Sequence, residues 1–170
     1  MKLYYYLQNK LIKFFTPTDK NHSKEIQYVQ KLVQNNFKDY LYVPSYSELC
    51  KKLNIKYKHD LLFNLIPWDY QFNSEQLIKR GGGDCNSLHR LLQVIYYLKG
   101  KDSYLLHMFF TPFKGHTTCL IIDEEYTIVD YDSKITGPTL KNVINQISEI
   151  YEKVNYCYLE TIDWKIYEPR

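Results

Sequence analysis

The residues of this chain best suited to chemistry are one cysteine and a few groups able to serve it. Cys85 closes the run Gly81-Gly82-Gly83-Asp84-Cys85 and opens the run Asn86-Ser87-Leu88-His89-Arg90-Leu91-Leu92. Leu88, Leu91, Leu92, Ile95 and Leu98 recur at helical spacing, which predicts a buried amphipathic helix ending near Gly100 with Cys85 in its first turn. A helix N-terminus carries unpaired N–H groups and the positive end of the dipole, which favour the thiolate over the thiol. The preceding glycines predict a sharp turn and room for a substrate backbone. Asp84 is placed to cap the helix. This arrangement suits attack on a carbonyl carbon.

A nucleophilic cysteine needs a base, and the base needs an orienting group. The five histidines are His22, His59, His89, His107 and His116. His22 and His59 stand in Lys-rich, loop-like contexts. His89 lies one helical turn after Cys85 and can lean back toward it, but reads as a packing or supporting residue. His116 fits the base best, because it begins a strand on which Thr118, Leu120 and Ile122 share its face. A three-residue turn at Asp123-Glu124-Glu125 sets residue 118 opposite 130 and 116 opposite 132. Asp130 and Asp132 then both lie on the His116 side as candidate orienters. A two-residue turn would place Asp130 with Cys119 instead. Acyl transfer also needs oxyanion donors. The backbone N–H of Cys85 is one, and Gln71 or Trp68 is the candidate for the other.

The flanking sequence predicts what must hold these groups. Leu3, Leu7, Leu11, Phe14 and Phe15 suit an amphipathic helix, broken at Thr16-Pro17-Thr18-Asp19. A second helix is expected over 23–35, with Ile26, Val29 and Val33 inward. Ser45-Tyr46-Ser47-Glu48 has the capping-box pattern and introduces a short helix carrying Leu49 and Leu53. After Pro67-Trp68-Asp69-Tyr70, Ser74 is expected to cap one turn through Leu77 and Ile78. From Tyr104 the period changes to that of strands, at 104–110, 116–122 and 126–131. Gly137-Pro138 opens a helix with Leu140, Val143, Ile144, Ile147 and Val154 on its apolar face. Tyr156, Tyr158 and Ile162 suggest a last strand. Helices first and an antiparallel sheet later make the class α+β, read as one domain over 1–170: a helical part at 1–63, the chemical motifs at 64–133, and a helix and strand at 134–170.

Composition narrows the function. Hydrophobic residues make up 45% of the 170, enough for a core of its own. The 22 basic and 19 acidic residues give a net charge of +3 with the lysines dispersed among acids, so no basic stripe argues for nucleic acid. The abundance of Tyr, Lys, Asn and Ile is that of an AT-rich genome, as in a low-GC bacterium or one of its viruses. Cys50, Cys85, Cys119 and Cys157 form no CxxC, so reduced thiols in a cytoplasmic setting are expected. Gln8, Asn9, Lys10 and Lys13 interrupt the apolar start, and no stretch is long enough to span a membrane.

In this context the order Cys85, His116, Asp130 resembles the transglutaminase-like superfamily of papain-like folds, over roughly residues 64 to 133. The strongest part is Glu75-Gln76-Leu77-Ile78-Lys79-Arg80-Gly81-Gly82-Gly83-Asp84-Cys85, a short helical turn followed by Gly-Asp-Cys opening a helix. Gly115-His116-Thr117-Thr118-Cys119-Leu120-Ile121-Ile122 is similar to that family's histidine strand, and Tyr126-Thr127-Ile128-Val129-Asp130 to its aspartate strand. The resemblance implies a papain-like core with the nucleophile helix packed on the sheet, and the roles nucleophile, base and orienter for Cys85, His116 and Asp130. The chain departs from the family pattern at Thr118, where an aromatic residue is common, and at Tyr131, where proline is common. Its Cys-to-His interval is also short.

The expected activity is thioester-forming acyl transfer on a peptide or glutamine-type amide of a peptide or protein substrate, with no cofactor. Hydrolysis is favoured over crosslinking by a transglutaminase. Two other readings compete. One is a metal site from Cys85, His89, His116 and Cys119, although on a strand His116 and Cys119 point to opposite faces. The other is a binding module that keeps the fold without turnover.

Overall fold

The computed structural model describes residues 22–37, 43–58, 72–111 and 114–168. The expected helix at the start of the chain, the break at Thr16-Pro17-Thr18-Asp19, His59, the segment Pro67-Trp68-Asp69-Tyr70, Gln71 and the dipeptide Pro112-Phe113 lie outside the described residues. The elements run α1 (His22–Asn36), α2 (Tyr46–Leu53), β1 (Lys56–Tyr57), α3 (Ser74–Arg80), β2 (Gly82–Gly83), α4 (Cys85–Leu98), β3 (Asp102–Thr111), β4 (Lys114–Ile122), β5 (Tyr126–Asp130), β6 (Ser133–Gly137), α5 (Leu140–Ile150), β7 (Tyr156–Glu160) and β8 (Ile166–Tyr167). Helices and an antiparallel sheet make up the α+β fold, as expected.

The large sheet has the strand order β6-β5-β4-β3-β7-β8, with every neighbouring pair antiparallel. Its two faces follow the strand period of two. Odd-numbered Cys119, Ile121 and Val129 pack with Leu88, Leu91, Leu92 and Ile95 of α4, and with Val29, Val33 and Leu49 of α1 and α2. Even-numbered Leu106, Met108, Leu120 and Ile128 pack with Val143 and Ile147 of α5. The sheet is therefore covered on one face by the cysteine helix and on the other by α5.

The capping box at Ser45 forms as expected, with Glu48 returning to the Ser45 N–H. Three other expectations are corrected. Asn73, not Ser74, caps α3, because the asparagine amide closes a reciprocal pair with Gln76. Ser74 instead gives its hydroxyl to Glu25 at 2.7 Å. Helix α5 begins at Leu140 behind a Thr139 cap, while Gly137 ends a strand, β6, whose polar residues show no apolar alternation. Val154 and Ile162 lie beyond α5 and β7, and the chain returns as β8.

A buried charge pair ties the helical layer to the sheet. Arg90, fully buried in α4, donates to Glu25 through Nε at 3.1 Å and Nη2 at 2.8 Å. It also donates to Gln93 at 2.8 Å and to the carbonyls of Thr161 at 3.2 Å and Ile162 at 2.7 Å. The other Glu25 oxygen takes the N–H and hydroxyl of Ser74. α1, α3, α4 and the chain after β7 thus converge on one guanidinium, whose desolvation is offset by this full set of acceptors.

Candidate active site

Cys85 is the first residue of α4 and is half-buried. Asp84 caps the helix, its carboxylate accepting from the Ser87 N–H at 3.1 Å. The Ser87 hydroxyl in turn accepts from the Phe72 N–H at 3.1 Å, which fastens the first turn to the segment before α3. The glycines serve the chain's own packing rather than open space for a substrate. Gly81 turns the chain with φ +67°, and Gly82, at φ +142°, lies so close to β1 that a Cβ would stand 2.0 Å from the Lys56 carbonyl oxygen. A Cβ on Gly83 would stand 3.0 Å from side-chain carbons of both Leu77 and Ser87. Residues 82–83 pair in parallel with 56–57, so the approach to Cys85 is a strand wedged against α3 and α4.

His116 and Asp130 come from neighbouring strands, and the ladder has Cys119 opposite Val129 and Leu120 opposite Ile128, the register of a three-residue turn. His116 Nε2 lies 2.8 Å from Asp130 Oδ1. Both belong to the even-numbered face that carries α5, whereas Cys85 belongs to the helix on the other face. The two sides meet where α4 begins and β5 ends, and His89 joins them. Its Nδ1 is 2.8 Å from the Cys85 carbonyl, its Nε2 accepts from the Tyr131 N–H at 3.2 Å, and its ring centre is 5.9 Å from that of His116. Since a carbonyl only accepts, the proton of His89 sits on Nδ1.

His89 Nε2 is also 3.5 Å from Asp130 Oδ1, but this is no ion pair. His89 is fully buried, and desolvation lowers its pKa to about 4 against the opposing pull of Asp130. It is a neutral brace. For Asp130, burial acts to raise the pKa, and the hydrogen bonds from His116 and Tyr151 with the His116 charge outweigh it, leaving the carboxyl below its usual range. The hydrogen-bonded partner of Asp130 is thus His116.

Two tyrosines flank the pair. Tyr131 has its ring centre 5.9 Å from that of His116, 4.8 Å from His89 and 4.8 Å from Tyr46. Tyr151 lies 5.1 Å from His116 and gives its hydroxyl to Asp130 Oδ2 at 2.5 Å. Burial raises both phenol pKa values, and the charge of a Cys85 thiolate adds to each. The sulfur is therefore within electrostatic reach of both rings that border His116.

The second residue of α4 is anchored as well. Asn86 accepts from the Thr117 hydroxyl, which also lies 3.0 Å from His107 Nδ1. Asp132 is not beside His116. Tyr131 takes a left-handed conformation, φ +53°, which breaks the strand alternation and sends Asp132 to the start of α2. There it accepts from the Ser47 N–H at 3.1 Å and from the Ser47 hydroxyl. Tyr151 escaped sequence reasoning because it stands 21 residues from Asp130, beyond a helix. Tyr131 gave one signal, a bulky residue where the resembled family favours proline. Cys119 is fully buried on the α4 face, away from His116, and no group of three metal-binding side chains occurs among the described residues. Gln71 and Trp68, the oxyanion candidates, lie outside those residues.

No protein family and no curated protein matches the sequence. Among solved structures, LapG of Legionella pneumophila is similar with a TM-score of 0.46 and 16% identity, over 82% of this chain and 89% of that one. No described helix is long and apolar enough to cross a membrane.

Proposed function

We propose that this chain is a cysteine-dependent acyl-transfer enzyme that opens peptide or glutamine-type amide bonds of peptide or protein substrates through a thioester. The observation that carries this is the His116–Asp130 pair, 2.8 Å apart, linked to the start of the Cys85 helix through His89, which lies 3.5 Å from Asp130 and 2.8 Å from the Cys85 carbonyl. A histidine that spends Nε2 on a carboxylate has Nδ1 left for a thiol proton, and the carboxylate stabilises the imidazolium that results. The resemblance of the Gly-Asp-Cys, histidine-strand and aspartate-strand motifs to the transglutaminase-like superfamily supports the same roles.

In this reading His116 takes the Cys85 proton, and the thiolate attacks the amide carbon to form the C–S bond. The oxyanion is met by the Cys85 N–H at the helix start, with Gln71 or Trp68 as the second donor. Collapse breaks the C–N bond as His116 returns the proton to the leaving amine. Water, activated by the same imidazole, then cleaves the thioester. Hydrolysis is favoured because nothing in the sequence points to a device that excludes water.

The test is a peptide library containing internal glutamines, with and without a primary amine, analysed by mass spectrometry for wild type, Cys85→Ala and His116→Ala. Cleaved or deamidated products lost in both variants are the expected result. Stable amine incorporation would replace hydrolysis with crosslinking, and products that persist in Cys85→Ala would end the reading.

A further inference from the structure

We propose that Tyr151 is a positioning residue of this site, fixing the Asp130 carboxylate in the one orientation that holds His116. The proposal rests on the acyl-transfer reading of Cys85, His116 and Asp130. Asp130 uses its two oxygens for different partners: Oδ1 faces His116 Nε2 at 2.8 Å, and Oδ2 takes the Tyr151 hydroxyl at 2.5 Å. The carboxylate torsion of aspartate is broad, so a group held by one oxygen alone can swing out of the imidazole plane. A donor on the second oxygen removes that freedom.

The chain around Tyr151 is built to keep the ring in place. Tyr151 caps the C-terminus of α5, its N–H on the Ile147 carbonyl at 2.9 Å. Ser148 accepts from the Val154 N–H at 3.2 Å and donates to the Ile144 carbonyl at 2.9 Å, closing the following turn. Asn155 bonds the Phe109 carbonyl through its N–H at 2.9 Å and the Phe110 carbonyl through its side chain, and Glu152 pairs with Lys114. The ring stacks 6.2 Å from buried Phe110 and lies 5.1 Å from His116 while remaining 44% exposed. A ring needed only for packing would gain by being covered. This one stands at the rim, with its hydroxyl turned in to the acid.

The test follows alkylation of Cys85 by iodoacetamide, cysteine by cysteine, from acid to alkaline pH. The groups facing Asp130 are His116 on β4, His89 on α4, Tyr131 at the end of β5 and Tyr151 after α5. Tyr151→Phe keeps the ring contacts and removes only the hydroxyl. It should slow Cys85 alkylation about tenfold and move the acid limb of the profile to higher pH, because Asp130 with one donor fewer takes a proton earlier and releases His116. Placed in Asp130→Asn, the same change should alter the rate less than about twofold, since its route of action is gone. A Tyr151→Phe profile that overlays wild type, or an equal loss in both backgrounds, overturns the proposal while leaving the acyl-transfer reading intact. If His116→Ala leaves Cys85 as reactive as before, that reading fails and takes the role of Tyr151 with it. Thermal unfolding of Tyr151→Phe confirms that the comparison is between folded proteins.

Discussion

His89 donates its Nδ1 proton to the carbonyl oxygen of Cys85, 2.8 Å away, and so binds the first residue of α4 to a ring that also accepts from the Tyr131 N–H just after β5. The ring does this as a neutral group. Its pKa is lowered from 6.5 to about 4, chiefly by burial. Between those values the unfolded chain binds a proton that the folded chain refuses, so stability rises with pH across the window and is lost as pH falls through it. The expected loss from His89 is roughly 3 kcal/mol between neutral pH and pH 4. Asp130, whose carboxyl is held below its ordinary value, begins to lose its contribution only at the acid end. Urea midpoints measured on either side of pH 6 should show this slope in wild type and a flatter one in His89→Asn. Equal slopes in the two would mean that His89 is charged in the fold.

Asp130 is the orienter that the resemblance implies, and Asp132, the other acid on the same strand face by sequence, goes elsewhere in the fold. Asp130→Asn keeps the shape but removes the charge that, in the proposed mechanism, stabilises a His116 imidazolium, so kcat should fall on the order of a hundredfold with little change in KM. Asp132→Asn alters the contacts with Ser47 and the Tyr46 N–H at the start of α2 and should leave kcat within about twofold, because a weakened helix start is a stability effect. The reverse ranking in a turnover assay would assign the orienting role to Asp132.

The Glu25–Arg90 pair is expected to dominate the response of the helical layer to mutation. Glu25→Ala leaves a buried guanidinium without its carboxylate, which costs about 3–5 kcal/mol. Replacing both partners with apolar residues of similar size, Glu25→Leu with Arg90→Met, should recover a large part of that loss. Denaturant midpoints of the single and double variants decide it. A double variant no better than the single would show that the carbonyls of Thr161 and Ile162 and the Ser74 contacts depend on the charges themselves.

Gly82 offers a backbone test of how the cysteine is placed. Gly82→Ala would set a Cβ 2.0 Å from the Lys56 carbonyl at a φ of +142° that side chains avoid. A destabilisation of roughly 2–3 kcal/mol or more is expected, with loss of Cys85 reactivity as β2 separates from β1. Full stability with full reactivity would show that the β1–β2 pairing does not fix Cys85.

What the sequence disclosed follows from range. The cysteine helix could be read because Leu88, Leu91, Leu92 and Ile95 carry a period of local origin, and the hairpin because three acidic residues set its register. That register brought Asp130 to His116. It failed at Asp132, since the left-handed turn at Tyr131 is held by rings from α2 and α4 that no local pattern announces. Strand β6 was missed because an edge strand need not alternate. Glu25 left a faint mark as a charge four residues before Val29 on an apolar stripe, but its partner is 65 positions away. The glycines predict a sharp turn and a close backbone approach; Gly81 makes the turn, and the backbone that approaches Gly82 is that of Lys56, far upstream. Long-range contacts made by polar or aromatic side chains are the common element in these misses.

The central claim is that His116, steadied by Asp130, draws the proton from Cys85. The most direct measurement is the rate at which each of the four cysteines is alkylated below about pH 8, where an ordinary thiol is mostly protonated. Cys85 should react well ahead of Cys50 and Cys157, and His116→Ala should erase that lead. A Cys85 no faster than Cys50, or a lead untouched by loss of His116, would contradict the claim.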